Sequence, residues 1–326
     1  MKILIIRPEM IGDTILLTPL ISALKNKYPA SQIFLLMRPG MEEIVKNNPE
    51  VAGVILLSNY WELLRKIKAE KFDVAIVMED NPTPKWAYLT LLAGIPKRLG
   101  DKSRLLYGWI YNRGVWLNSA DPKLHHVELY LKLLEPLGIK GIRPPLKLNP
   151  DPEADKKIGK LMPAGAIGIH IGTGGGNRAL LPETYAQIVN LLSEKTKRPI
   201  VLLGGRAEIE TLKQMKSYLK VPFLDLVNKL SLQELFSAIK RLALFIGVDS
   251  GPLHAAAAFK VPVVAIYTAK DVNPNRWLPW QTKYLSIKSP AEACKEKCSH
   301  RECQKDYCLI AIKAEQVVEA ARELLK

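Results

Sequence analysis

The stretch LALFIGVDSGPLHAAAAFKVPVVAIY fills residues 242–267. It opens with a continuous apolar run at 242–248 and passes through Asp249, Ser250, Gly251 and Pro252. It then becomes an alanine-rich segment carrying His254 and returns to a second apolar run at 261–267. Unbroken Val, Ile and Leu runs are what strands buried on both faces require, and a helix between two of them is the connection that parallel strands need. The stretch reads as strand, helix and strand of a parallel sheet covered on both sides.

The same rhythm recurs on either side. Apolar runs at 166–171 and 200–203 precede it, and runs at 3–6, 33–37, 54–57 and 74–77 mark the first half, each followed by a helical pattern. Between the halves the helix-period segment LHHVELYLKLLEPL, 124–137, leads to Gly138. Pro144, Pro145, Pro150 and Pro152 then mark 143–152 as an extended linker. A chain of 326 residues at 48% hydrophobic content suits two domains, each burying its own core. Their expected bounds are 1–150 and 151–312, with a last helix at 313–326 whose Ala314, Val317, Val318, Ala321, Leu324 and Leu325 share one face. The fold expected is α/β, with two Rossmann-like halves in tandem.

The opening MKILIIR lacks the length and cleavage site of a signal peptide and reads as a first strand. No run approaches the roughly 18 to 20 apolar residues that cross a bilayer, so the cytoplasm is the expected compartment. A formal net charge of +15 attracts anions. The Lys and Arg residues are scattered, and no RNA-recognition, zinc-finger or basic-zipper pattern accompanies them, so nucleic acid is not the expected partner. All four cysteines, Cys294, Cys298, Cys303 and Cys308, lie within fifteen residues, which argues for one local device and against a secreted disulfide framework.

In parallel α/β sheets ligands bind at the carboxyl ends of the strands, where helix amino ends converge. Four loops meet that condition. In the first, Gly12 permits a tight turn and Asp13 stands near the start of a helix, either as a dipole-complementing cap or as a base. In the second, Asp249, Ser250, Gly251 and Pro252 open a helix fit to hold a diphosphate, and His254 is either a core histidine or a ligand contact. In the third, Gly172, Thr173, Gly174, Gly175 and Gly176 would let backbone amides cradle a phosphate and bring Arg178 to it. In the fourth, Gly204 and Gly205 precede Glu208, either a surface glutamate or an acceptor for ribose hydroxyls. A donor held by one domain and a base supplied by the other is the simplest combination.

These residues carry a resemblance over nearly the whole chain. Gly12-Asp13 with Leu17-Thr18-Pro19, Arg178 with Pro182-Glu183, Gly204-Gly205 with Glu208, and above all 249–254 with Val261-Pro262-Val263-Val264-Ala265 resemble glycosyltransferase family 9, the ADP-heptose:lipopolysaccharide heptosyltransferases. The resemblance implies the GT-B fold, with two Rossmann-like sheets facing across a cleft, 1–150 taking the acceptor and 151–312 the nucleotide sugar. It implies that Asp13 is the general base of an inverting transfer from ADP-heptose to a Kdo-lipid A type acceptor. Thr173, Arg178, Glu208, Asp249, Ser250, Gly251, Pro252 and His254 are then the expected donor contacts. The family's usual lysine is replaced by Arg178, whose planar fork grips phosphate differently. Its usual Lys-Arg-Trp-Pro run is reduced here to Arg178-Ala179-Leu180-Leu181-Pro182.

A Cys-rich segment before the last helix is also common among such relatives; the four cysteines could bind a structural zinc or form two disulfides. No catalytic metal or other cofactor is expected, and no Asp-x-Asp motif suggests one. The protein is expected to be a monomer. The basic stretch 97–113, with Arg98, Lys102 and Arg104 beside Trp109 and Tyr111, is a candidate for docking to an acidic sugar or to the anionic inner face of a membrane, against the alternative of a solvated loop. Two other functions fit the same residues: a sugar-nucleotide epimerase of the same architecture, and a non-catalytic protein binding anions or nucleic acid.

Overall fold

The computed structural model describes residues 1–8, 10–78, 83–117, 121, 123–173, 179–268, 273–294 and 305–326. It divides into two compact units, Met1–Asn149 and Pro150–Lys326.

The first unit runs β1 (Lys2–Ile6), α1 (Ile11–Lys27), β2 (Gln32–Met37), β3 (Gly53–Leu56), α2 (Tyr60–Glu70), β4 (Val74–Val77), α3 (Pro84–Leu92), β5 (Lys97–Leu99) and α4 (His126–Lys132). Every strand pair is parallel, in the order β3-β2-β1-β4-β5. The wholly apolar β1 lies at the centre, and Ile3, Leu4, Ile5 and Ile6 are fully buried.

Helix α1 continues through Pro19, a residue that lacks the N–H its turn would donate to Ile15. The Thr18 hydroxyl replaces that donor, reaching Ile15 O at 2.7 Å. The same Thr18 oxygen accepts the Lys147 N–H at 3.0 Å and so ties α1 to the segment following the α4 region. That segment, read from its prolines as an extended linker, is packed on the first unit up to Asn149. Leu146 and Leu148 are buried at period-two spacing, and Lys147 pairs with Glu50 at 2.6 Å. The helix expected over 124–137 is also shorter. It ends at Lys132, four residues before Pro136, whose ring excludes the carbonyl of that residue, and a single 3-10 turn at Glu135–Leu137 follows.

The second unit runs α5 (Pro152–Leu161), β6 (Ile167–His170), α6 (Pro182–Thr196), β7 (Ile200–Leu203), α7 (Ile209–Met215), β8 (Leu224–Asp225), α8 (Leu232–Lys240), β9 (Leu244–Val248), α9 (Gly251–Ala258), β10 (Val263–Tyr267), β11 (Tyr284–Lys288), α10 (Tyr307–Ile310) and α11 (Ala314–Leu324). Its strands are also all parallel, in the order β11-β10-β9-β6-β7-β8. Val317, Val318, Ala321 and Leu324 of α11 close the core over α6 and the sheet.

Three strands escaped the sequence reading: β5, β8 and β11. Each is a sheet edge, short or partly exposed, and without the continuous apolar run that marks a central strand. No helix among the described residues is long and apolar enough to cross a membrane.

Candidate active site

Strand order locates the candidate sites. In the first unit the order reverses between β1 and β4, and in the second between β6 and β9. At such a switch point neighbouring loops diverge to opposite faces of the sheet and leave a crevice.

Asp13 follows β1, in the first turn of α1. Its Oδ2 accepts the Met10 N–H at 3.1 Å, which completes the helix start, and its Oδ1 accepts from Arg7 Nη2 at 2.7 Å. The Arg7 side chain is 1% exposed and that of Asp13 is 14% exposed, so the guanidinium is inside and the carboxylate faces outward. Arg7 is itself held in place. Its guanidinium carbon lies 5.4 Å from the centre of the Tyr130 ring, and Tyr130 meets His126 edge to face at 4.6 Å. Arg38 Nε donates to Pro8 O at 2.7 Å and anchors the loop between Arg7 and α1.

In the second unit His170 pairs with Gly247 across β6 and β9, so Gly172 and Asp249 emerge side by side from the sheet. The Asp249 N–H is held by Ile266 O at 3.1 Å. Ser250 turns its hydroxyl back to Val248 O at 3.0 Å and leaves the first turn of α9, Gly251 and Pro252 included, without a side-chain cap. A helix end of this kind presents N–H groups and a partial positive charge to an anion.

His254 is buried in α9. Its Nε2 lies 3.9 Å from Asp249 Oδ1, beyond hydrogen-bond reach, and its ring lies 6.3 Å from that of Trp277. The Tyr267 hydroxyl donates to Trp277 O at 3.0 Å. Burial, reinforced by the charge of Asp249, pushes the Tyr267 pKa upward and keeps that hydroxyl a donor.

Glu208 is buried at the ends of β6 and β7, where its Oε2 accepts the Gly205 N–H at 2.8 Å. Gly172 and Gly204 owe their identity to this carboxylate arm, since a Cβ on either would collide with the Glu208 side chain. Beneath it, burial depresses the pKa of His170, while the Glu208 charge and a backbone hydrogen bond at Gly172 oppose the shift.

The structure thus gathers Thr173, Glu208, Asp249, Ser250, Gly251, Pro252 and His254 at the carboxyl edge of one sheet. Arg178 lies outside the described residues. So do Cys298 and Cys303, whereas Cys294 and Cys308 are half-buried in the segments flanking them. Among the described residues no group of His, Cys, Asp and Glu is disposed around a metal ion.

The three basic residues expected to dock lie at the β5 edge, two strands from β1. Arg98 turns inward there, donating to Ile110 O at 2.9 Å and Ile95 O at 2.6 Å, with its pKa lowered by desolvation. Arg104 pairs with Asp101 at 3.3 Å, and Lys102 is half-buried. An open groove lined by Lys213, Lys216, Asn228 and Lys229 lies beside edge strand β8, away from the switch point.

Sequence reasoning missed Arg7, Tyr130, Tyr267 and Trp277. Only Arg7 carried a signal, as a cation directly after a strand of four buried apolar residues. Tyr130 comes from a segment distant along the chain, and Tyr267 and Trp277 follow α9 with no pattern of their own that would single them out.

A family model described as glycosyltransferase family 9 (heptosyltransferase) matches residues 60–308. The chain is 27% identical over 337 residues to lipopolysaccharide heptosyltransferase 3 of Escherichia coli strain K12, covering 96% of this chain and 95% of that one. The solved glycosyl transferase family 9 structure from Veillonella parvula DSM 2008 superposes with a TM-score of 0.84 at 22% identity, over 99% of this chain and 97% of that chain. The E. coli ADP-heptose lps heptosyltransferase II does so at 0.81 and 22%, over 100% and 98%.

Proposed function

Because the chain belongs to glycosyltransferase family 9, with two Rossmann-like units of the GT-B kind, we propose that it moves a heptose from ADP-heptose to an inner-core lipopolysaccharide acceptor of the Kdo-lipid A type, with inversion. What supports this reading is that the switch points, located by strand order alone, hold Asp13 in one unit and 249–254 in the other.

In this reading the first unit takes the acceptor and Asp13 is the base. A carboxylate offers about four lone-pair sites, and Met10 and Arg7 each occupy one, which leaves room for an acceptor hydroxyl on the exposed side. As that oxygen bonds to the anomeric carbon of the sugar, its proton passes to Asp13. The bond from the same carbon to the diphosphate oxygen breaks, and its electron pair stays on the departing phosphate. The amino end of α9, with Thr173 and Arg178, stabilises the charge that develops there. Glu208 and Asp249 address hydroxyls of the donor, and His254 borders the sugar.

The test is a product assay with ADP-, UDP- and GDP-sugars, each with and without a Kdo-lipid A acceptor. Consumption of ADP-heptose that requires acceptor and yields the inverted linkage is the expected result. Conversion of a nucleotide sugar without acceptor would replace this reading with an epimerase, and a clear preference for UDP-sugars would overturn the donor.

A further inference from the structure

Between β5 and α4 the chain makes an excursion, 100–117, that is closed at its base and pinned along its length. Lys102 N donates to Val115 O at 2.7 Å and Val115 N to Gly100 O at 3.0 Å. Asp101 Oδ1 accepts the N–H groups of Ser103 and Leu117 at 2.9 and 3.2 Å. Tyr107, Ile110 and Tyr111 are buried in the core of the first unit. Gly108 lies so close to the Lys102 carbonyl that a Cβ there would have to move the backbone.

Other large apolar side chains of this loop are open to water. Leu105 is 94% exposed, Leu106 85%, Trp116 75% and Trp109 67%. Single exposed apolar residues are ordinary, but four large ones on a pinned loop of this length mark a binding surface. Residues 97–113 also carry five cations against one carboxylate, in a chain of net charge +15. The occupant must therefore accept leucines and indoles in its interior and present anions around them. An anionic bilayer meets both conditions: tryptophans settle at the headgroup level, leucines reach the acyl chains, and Lys97, Lys102 and Arg113 meet lipid phosphates. Weak apolar insertion and weak charge attraction hold a protein at a membrane better together than either does alone.

We propose that the 100–117 loop is a membrane-insertion element, through which the protein docks on anionic phospholipid with Leu105, Leu106, Trp109 and Trp116 in the bilayer interface. Arg98, turned inward, holds the loop to the unit and takes no part in docking. This proposal extends the reading of the active site without depending on it, since it requires lipid alone.

The experiment is co-sedimentation of the full chain with vesicles of phosphatidylcholine, or of phosphatidylcholine mixed with phosphatidylglycerol, with no donor or acceptor present. Wild type is expected to bind the mixed vesicles, with tryptophan emission shifted to the blue. The double variant Leu105→Ser with Leu106→Ser is expected to bind at least about tenfold more weakly at unchanged Tm, because these side chains support nothing in the fold. Trp109→Ser provides a second, independent loss. Equal binding by wild type and both variants, or no binding of wild type to anionic vesicles, would overturn the proposal. So would a dimer in solution that the same variants dissociate, because the occupant would then be a second copy. Sugar transfer to a soluble acceptor fragment is expected to survive the Leu105→Ser, Leu106→Ser double variant, which separates this proposal from the catalytic one.

Discussion

Arg7 Nη2 donates to Asp13 Oδ1 across 2.7 Å, from a guanidinium shut away from solvent to a carboxylate that reaches it. The pair gives the carboxylate one orientation, and a stack of aromatic rings from α4 supports the cation from behind.

Asp13→Asn retains an oxygen for the Arg7 contact and the size of the side chain, and removes the ability to take a proton. Its kcat is expected to fall by about 10² to 10⁴ with donor KM little changed. Steady-state kinetics decide the matter, and a variant retaining wild-type kcat would remove Asp13 from the chemistry.

Arg7→Met leaves Asp13 facing an apolar pocket, and Arg7→Lys restores the charge without the fork. Loss of one partner from a pair this poorly solvated is expected to cost about 2 to 4 kcal/mol of stability in urea unfolding, somewhat less for lysine. If the pair positions the base, lysine also recovers part of the kcat lost in Arg7→Met while donor KM stays constant. Recovery of stability without recovery of kcat would reduce Arg7 to a structural role.

Gly172→Ala places a methyl group where the Glu208 carboxylate lies, so the glutamate must leave its contact with Gly205. Overpacking of this kind costs about 1 to 3 kcal/mol. Nucleotide affinity, measured by calorimetry with ADP, is expected to drop along with Tm. Unchanged ADP binding would separate Glu208 from the donor site.

His170 is expected to make the second unit sensitive to acid. Burial holds its pKa below the ordinary 6.5, so below that pH the unfolded chain takes a proton that the folded chain resists. The contribution is complete above pH 6.5 and is lost as pH falls from there toward the folded-state value, at no more than about 1.4 kcal/mol per pH unit. The Tm of wild type should therefore fall more steeply than that of His170→Gln between about pH 7 and pH 5. Parallel curves would show that other groups carry the acid response.

Thr18→Val keeps the shape of a buried side chain and removes a hydroxyl that serves both Ile15 O and the Lys147 N–H. With Pro19 supplying no N–H of its own, two backbone groups lose their partner. The expected cost is about 1 to 3 kcal/mol in urea unfolding, and Thr18→Ser should recover most of it.

Several of these relationships join residues far apart in the chain, and that separation marks what could be read in advance. The central strands were legible because a run of Val, Ile and Leu buries on both faces whatever its neighbours turn out to be. The runs at 74–77 and 200–203 are strands over those same residues. Legible too were the loops that are candidates for the chemistry, since a loop following such a strand leaves the sheet at its carboxyl end. Asp13 and 249–254 were found in this way. The edge strands β5, β8 and β11 were not, because each lacks a continuous buried apolar run and owes its place to the neighbour it pairs with.

The sequence by itself determined two parallel α/β units and the strand ends at which their polar residues appear, because continuous apolar burial and helical periodicity are properties of short segments. Only the tertiary structure decided which side chains those residues meet: Arg7 at Asp13, Glu208 over Gly172, Trp277 beside His254, and Arg98 turned into its own loop. Contacts of this kind depend on the order in which strands pair and on where a helix such as α4 comes to rest, and no local pattern encodes either.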